Sequence, residues 1–252
     1  VIRIQDRAGV RWVTLAAPEK RNAITRRGWQ ELAEAFESCR NARAVVVSGG
    51  EGNFCSGADL GDLSADLSSP ADRLAAMAAP NAAALALHQL PVPSIAAVDG
   101  VAAGAGVNLA LGCDVVLVSP QARFAELFVK RGLAVDFGGT WLLPRAVGLQ
   151  RAKELAFTGR MVDAKEAVQI GLALRIADDL EGQAQALAEE MADAAPLALR
   201  LTKQNLDQAF ERSFEESLQA EALAQAECAG SEDALEGLRA FLERRAARFS
   251  GR

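Results

Sequence analysis

Asp136 stands in the run Arg131-Gly132-Leu133-Ala134-Val135-Asp136-Phe137-Gly138-Gly139-Thr140-Trp141-Leu142-Leu143-Pro144-Arg145, a carboxylate among apolar neighbours. If those neighbours bury it, lost hydration penalises the anion and raises its affinity for a proton. Such a carboxyl can take up and return a proton near neutral pH. The position equally suits a turn or a helix N-cap ahead of Gly138-Gly139, so the residue alone leaves both readings open. Two glycine-bearing segments offer a complementary feature. Asn53-Phe54-Cys55-Ser56-Gly57-Ala58-Asp59-Leu60 follows a valine-rich run. Its small residues let the backbone approach a ligand, and its turn can aim N–H groups at an oxyanion. An ordinary strand-to-helix turn would look the same. Asp99-Gly100-Val101-Ala102-Ala103-Gly104-Ala105-Gly106-Val107-Asn108 leads into Leu109-Ala110-Leu111. A helix starting there presents unpaired N–H groups and the positive end of its dipole. Close helix packing is the other use for those glycines. The segment is not a dinucleotide fingerprint, because GxGxxG is incomplete and no acidic residue ends a second strand at the required distance.

The elements that must position these segments alternate along the first part of the chain. Val10–Leu15 is a β-branched run ended by Ala16-Ala17-Pro18. Thr25 suits the N-cap of a helix reaching Cys39, with Trp29, Leu32, Ala33 and Phe36 on one stripe. Residues 44–47 read as a strand buried on both faces, since they are apolar without alternation, and Ser94–Val98 and Val115–Val118 repeat that signature. Strands that lead through glycine-bearing turns into helical patterns make an α/β layout. From about Asp178 the character changes. Residues 180–194, 196–210, 214–229 and 233–248 all carry helical periodicity, with Pro196 suited to a first turn and Gly230-Ser231 separating the last two. The small, polar segment 61–75 predicts a mobile loop. No internal repeat is visible.

Composition narrows the chemistry. The 252 residues are half hydrophobic, only 5% aromatic and without tyrosine, so Ala, Leu and Val must fill the core of a globular protein. A net charge of −6 argues against a nucleic-acid footprint, although a local basic cluster could still hold an anionic small molecule. His88 is the single histidine, which excludes multi-histidine metal sites and reads as a packing residue. Cys39, Cys55, Cys113 and Cys228 lie far apart without CxxC spacing, as expected of reduced thiols. Asp99 and Asp114 interrupt the longest apolar stretch, leaving nothing near the ~18 residues a bilayer span needs. Residues 1–5 alternate like a strand and show no signal-peptide core, which predicts a cytoplasmic protein.

In their order and spacing, the three segments resemble the crotonase, or enoyl-CoA hydratase/isomerase, family over essentially the whole chain. The matching pieces run from Lys20-Arg21-Asn22-Ala23-Ile24 through residues 54–60, 100–114 and 132–145 to the ending Phe249-Ser250-Gly251-Arg252. The 135–145 run looks most like the branch containing the 2-(1,2-epoxy-1,2-dihydrophenyl)acetyl-CoA isomerases. The resemblance implies an α/β fold: a crotonase-type ββα spiral over 1–195 that binds acyl-CoA, then an all-helical oligomerisation region over 196–252. It implies an acyl-CoA thioester substrate, no separate cofactor, no metal, and a homotrimer or a hexamer of two trimers. By family position, the backbone N–H groups of Ala58 and Ala105 form an oxyanion hole, and Asp136 is the acid/base. Lys20 and Arg21 meet the coenzyme's phosphates, with Arg244 or Arg245 as further contributors and the adenine near 58–60. Ala23, Ser56, Gly57, Asp59, Leu60, Gly104, Phe128 and Phe137 complete the implied substrate site, and the acyl pocket draws on the 61–90 region.

Departures from the family pattern bear on the reaction. The two glutamates that handle water in the family's hydratases fall here on Asn108 and Phe128, and neither an amide nor a phenyl ring can act as a general base. Glu126, two residues before Phe128, would share its face in a strand and reads as structural. One carboxylate is enough to move a proton between two carbons, whereas hydration usually needs two groups. A double-bond isomerase, or an enzyme opening a strained ring, is therefore expected. A hydratase and a non-catalytic acyl-CoA-binding homologue are the alternatives, and a fourth reading makes Asp136 a nucleophile.

Overall fold

The computed structural model describes residues 2–50, 52–64 and 69–252. Its valine-rich runs lie side by side in one sheet. In chain order the elements begin β1 (Ile2–Arg7), β2 (Val10–Leu15), α1 (Arg26–Ser38) and β3 (Ala44–Gly49). Then come α2 (Leu60–Ser64), α3 (Pro70–Ala76), α4 (Ala78–His88), β4 (Ser94–Val98), β5 (Val101–Ala103) and α5 (Ala105–Leu111). They continue with β6 (Val115–Val118), β7 (Arg123–Ala125), α6 (Gly139–Val147), α7 (Leu149–Thr158), β8 (Val162–Asp163), α8 (Ala164–Ile170) and β9 (Arg175–Ile176). The chain ends in α9 (Leu180–Asp193), α10 (Pro196–Asp207), α11 (Phe214–Ala229) and α12 (Glu232–Glu243).

Two sheets divide the strands. The larger runs β1-β2-β3-β4-β6-β9 and the smaller β5-β7-β8. The β1/β2 pair is antiparallel, and β2, β3, β4, β6 and β9 then pair in parallel. In the repeats β4-β5-α5 and β6-β7, the first strand belongs to the larger sheet and the next to the smaller. This is the expected ββα core followed by a helical region. Each repeat therefore turns a corner between its two strands, and the second strand leads to a short turn at the same end of the molecule.

The non-alternating strands have two cores to fill. Val45, Val47, Ala96, Val98 and Val118 face the main core with Phe36, Phe54 and Leu109. Ala44, Val46, Ile95, Ala97 and Leu117 face the other side, where Ala184, Ala188 and Ala192 of α9 cover the sheet. Period-two geometry sends successive residues to opposite faces, so burial of both faces makes every position apolar. Small alanines on α9 let the helix approach the sheet closely.

Several expectations need correction. The segment 61–75 is helical over α2 and α3, with Ser69 capping α3 through the Asp72 N–H, while residues 65–68 of that expected loop lie outside the described residues. Thr25 caps α1 as expected, and Trp29, Leu32 and Phe36 are buried with Ala33 partly buried against the same core, joined by Ala35. The final helix stops at Glu243, because Arg244 adopts a left-handed conformation at φ 55° and ends the helical hydrogen bonding. Likewise α10 ends at Asp207 rather than Phe210. Glu126 and Phe128 do not share a strand face: β7 ends at Ala125, and Leu127–Arg131 is a 3-10 turn.

Candidate active site

The two glycine-bearing turns meet. Cys55 bridges Ala102 in parallel, with the Ala103 N–H donating to the Cys55 carbonyl at 2.8 Å. Contact this close requires missing side chains. A Cβ at Gly57 would lie 2.8 Å from the Ala103 oxygen and 3.5 Å from the Ala105 nitrogen, and Gly57 also holds φ at +93°. A Cβ at Gly106 would overlap the Cys55 carbonyl. These two glycines bring the Ala58 turn beside the start of α5. Ile24 then bridges Ala58, using the Gly57 carbonyl and the Asp59 N–H. That pairing turns the Ala58 N–H to the opposite side. The Ala105 N–H is the first of α5, where helical geometry supplies no partner.

One cleft of about 960 Å³ opens over these turns. Lys20, Arg21, Ala23, Ser56, Gly57, Ala58, Asp59, Leu60, Gly104, Ala105, Phe128 and Asp136 all line it. The 61–90 region contributes Gly61, Asp62, Ala76, Met77 and Pro80. Phe137 is not brought there. Its ring is 2% exposed in the core, 5.1 Å from the Trp29 ring, because its left-handed backbone (φ 52°) turns it away from Asp136. Arg26 and Trp29 of α1, Arg131 at the head of the Asp136 run and Met161 also line it, and sequence reasoning missed them.

Asp136 is held by its backbone. Its carbonyl accepts from Asn108 Nδ2 at 2.9 Å and from the Gly139 N–H at 2.9 Å. The side chain does not cap α6, whose N-cap is Gly138 without a side-chain bond, so the capping alternative falls. Instead the carboxyl is half-buried toward the cleft, with Oδ1 fully enclosed and lacking a hydrogen-bond partner. Burial pushes its pKa up to about 6. Phe128 packs its ring over Gly104, 3.7 Å from where a Cβ would sit.

Glu126 is the residue that sequence reading set aside. It is 3% exposed, and neither carboxyl oxygen has a hydrogen-bond partner. Burial, and then the Asp136 charge, raise its pKa to about 8. The signal was an acidic residue within Phe124-Ala125-Glu126-Leu127-Phe128, an otherwise apolar run.

At the mouth, Lys20 Nζ pairs with Asp59 at 2.6 Å, which draws the Asp59 carboxyl below its usual range and raises the Lys20 amine. Arg21, Arg26 and Arg131 extend this basic rim. Arg244 and Arg245 do not line the cleft of their own chain, and Arg245 is engaged with Glu236 at 2.6 Å and Glu243 at 2.7 Å. His88 packs edge-on against Trp141, its ring centroid 5.2 Å away, outside the cleft. Burial raises the thiols of Cys55, to about 12, and of Cys113, which leaves both protonated and inert. Among the described residues, no group of His, Cys, Asp and Glu could hold a metal ion, and no helix is long and apolar enough to cross a membrane.

Comparison with known proteins places this geometry. Residues 5–252 match the model of the enoyl-CoA hydratase/isomerase family. The chain is 37% identical over 251 residues to the 1,2-epoxyphenylacetyl-CoA isomerase of Escherichia coli K12, covering 97% of this chain and 96% of that protein. It is 36% identical over 257 residues to the mitochondrial enoyl-CoA hydratase domain-containing protein 2 of Bos taurus, covering 96% and 85%. An enoyl-CoA hydratase structure from Bacillus anthracis superposes with a TM-score of 0.95 at 30% identity, over 100% of this chain and 99% of that one. With nearly every residue matched, and with the ββα core and two converging backbone turns in place, the chain belongs to the enoyl-CoA hydratase/isomerase, or crotonase, family.

Proposed function

We propose that the protein is an acyl-CoA isomerase that shifts a double bond, or opens a strained ring, with Asp136 as its acid/base. The observation that carries this reading is Asp136 itself, a carboxyl with a pKa near 6 on the wall of the cleft that the two backbone turns share. The positions expected to bear a hydratase's glutamates support it. Asn108 is buried and uses its amide to hold the Asp136 backbone, and Phe128 presents a hydrocarbon ring.

The N–H groups of Ala58 and Ala105 donate to the thioester carbonyl oxygen of the bound acyl-CoA. As Asp136 removes a proton from the α or γ carbon, negative charge moves onto that oxygen, and preorganised donors lower the barrier by several kcal/mol. Asp136 then returns the proton to the other carbon. Phe128 keeps water from the enolate. Lys20 and Arg21 receive the coenzyme's phosphates, with Asp59 holding Lys20 in place. Similarity to the Escherichia coli protein named 1,2-epoxyphenylacetyl-CoA isomerase supports placement in that branch of the family. We place the enzyme in the cytoplasm, as a trimer or a hexamer of two trimers, divided into 1–195 for binding and 196–252 for assembly.

Incubating the enzyme with a conjugated enoyl-CoA in water labelled with deuterium and heavy oxygen tests the reaction. Exchange at the α and γ carbons without oxygen uptake is expected. Oxygen uptake would make the protein a hydratase, and neither change would make it a binding protein.

A further inference from the structure

Asp136 begins a strained turn. Phe137 holds φ at +52° and Gly138 at +76°, so two successive residues are left-handed before α6 starts. Glycine adopts that conformation freely, whereas a phenylalanine keeps it only where its surroundings over-determine it. Three contacts do so here. The Gly139 N–H closes the turn onto the Asp136 carbonyl at 2.9 Å. The Phe137 ring is buried with its centroid 5.1 Å from that of Trp29, a residue of the cleft wall. From α5, Asn108 Nδ2 donates to the same Asp136 carbonyl, also at 2.9 Å. Asn108 is conspicuous on that helix. Every other residue from Ala105 to Ala110 is apolar or glycine and buried, Asn108 is buried with them, and its Oδ1 has no hydrogen-bond partner. An orphan acceptor is a cost that a leucine of similar volume would not carry. The facing backbone is shaped to admit the amide, since a Cβ at Gly139 would overlap both Nδ2 and Oδ1. Asn108 also lies one turn after Ala105, on the helix whose first N–H is the proposed oxyanion donor.

We propose that Asn108 is the positioning residue of Asp136. It ties the Asp136 backbone to α5, so that the carboxyl moving the proton and the Ala105 N–H meeting the developing charge keep one register. Phe137 is the second anchor: its buried ring holds the turn left-handed, which leaves the Asp136 side chain on the cleft side. This inference rests on Asp136 being the acid/base. Asn108 does not line the cleft, so it acts through Asp136 and not on the acyl chain. The orphan Oδ1 and the left-handed phenylalanine are then accepted for function, as strain and unsatisfied groups often are beside a reacting centre.

The test measures kcat and KM for α/γ hydrogen exchange of a conjugated enoyl-CoA, per folded molecule, with Tm alongside. Asn108→Leu keeps the volume and deletes both the donor and the orphan acceptor. Its Tm should be no lower than wild type, while kcat falls about 10- to 100-fold at nearly unchanged KM, because misplacing a catalytic group by ~1 Å costs up to ~10²-fold. Asn108→Ala, which the space admits without doubt, should lose kcat to a similar degree. Wild-type kcat in both variants, whatever their Tm, would make Asn108 merely structural and overturn the proposal. Gly139→Ala drives a methyl into the amide and should lower kcat in the wild type, yet cost nothing further in the Asn108→Ala background, where the space is vacated. Equal losses in the two backgrounds would overturn the pairing. Phe137→Gly and Phe137→Ala both remove the ring, but glycine relieves the left-handed backbone and should melt higher. The reverse order would overturn the strained turn. Asp136→Asn separates the two levels of the argument. If that variant is inactive while Asn108→Leu and Asn108→Ala turn over like wild type, only the positioning role fails; if it is fully active, the acid/base assignment fails as well.

Discussion

A carboxyl on the wall of an apolar cleft is useful because burial lifts its pKa toward neutral pH, and Asp136, at about 6, has this property from burial alone. Asp136→Asn preserves size and deletes the base, so kcat should fall by about 10²-fold or more, with coenzyme A affinity retained in calorimetric titration. Phe128→Glu should conversely introduce some hydration, read as oxygen incorporation, if the ring is what excludes water. Glu126 carries a stability consequence independent of turnover. Its folded pKa, about 8, exceeds the ordinary 4.5. Between those values the unfolded chain releases a proton that the folded chain keeps, so this group makes stability fall as pH rises. The slope is at most about 1.4 kcal/mol per pH unit. Below 4.5 both states are protonated and the effect vanishes. Denaturant melts of Glu126→Gln against wild type should therefore diverge from pH 5 to 8, with the variant the more stable at the upper end.

At the scale of elements, two turns from different repeats must touch. Gly106→Ala drives a methyl into the Cys55 carbonyl. The strand pair must part to admit it, at a cost of about 1–3 kcal/mol, and the two proposed donor turns separate with it. A lowered Tm together with a loss of kcat larger than the loss of folded protein is the expected result. Other elements were legible locally. Thr25 ahead of a striped helix is a cap because its hydroxyl accepts from the Gly28 N–H at 3.1 Å, a relation contained within four residues. The segment 61–75 was misread because α2 and α3 are only 5 and 7 residues long, too short for periodicity to show. The end of α12 was misread because Arg244 takes a left-handed conformation that glycine usually supplies.

At the scale of the whole molecule, α10 and α11 bury no residue fully, and large apolar side chains of the C-terminal region stand in solvent. Phe210 is 75% exposed, Phe214 80% and Phe241 80%, with Leu223, Leu235 and Leu238 also exposed. A monomer rarely leaves so much apolar surface open, which fits the proposed assembly of copies through this region. Sedimentation at micromolar concentration should show a trimer or hexamer, and Phe241→Glu with Leu238→Glu should shift it toward smaller species while circular dichroism is retained. A stable wild-type monomer would contradict the assembly.

The sequence by itself determined the strands, because burial on both faces leaves an uninterrupted apolar run, and the capped helices, because caps act within one turn. It also marked Asp136 and the two glycine turns as candidates, since their neighbours in the chain are unusual. Only the tertiary structure decided what meets what. It put Phe137 into the core against Trp29, brought Met161 to the cleft, and buried Glu126 with neither carboxyl oxygen hydrogen-bonded. Charge and burial depend on distances between residues far apart or differently turned along the chain, and local pattern carries no record of them.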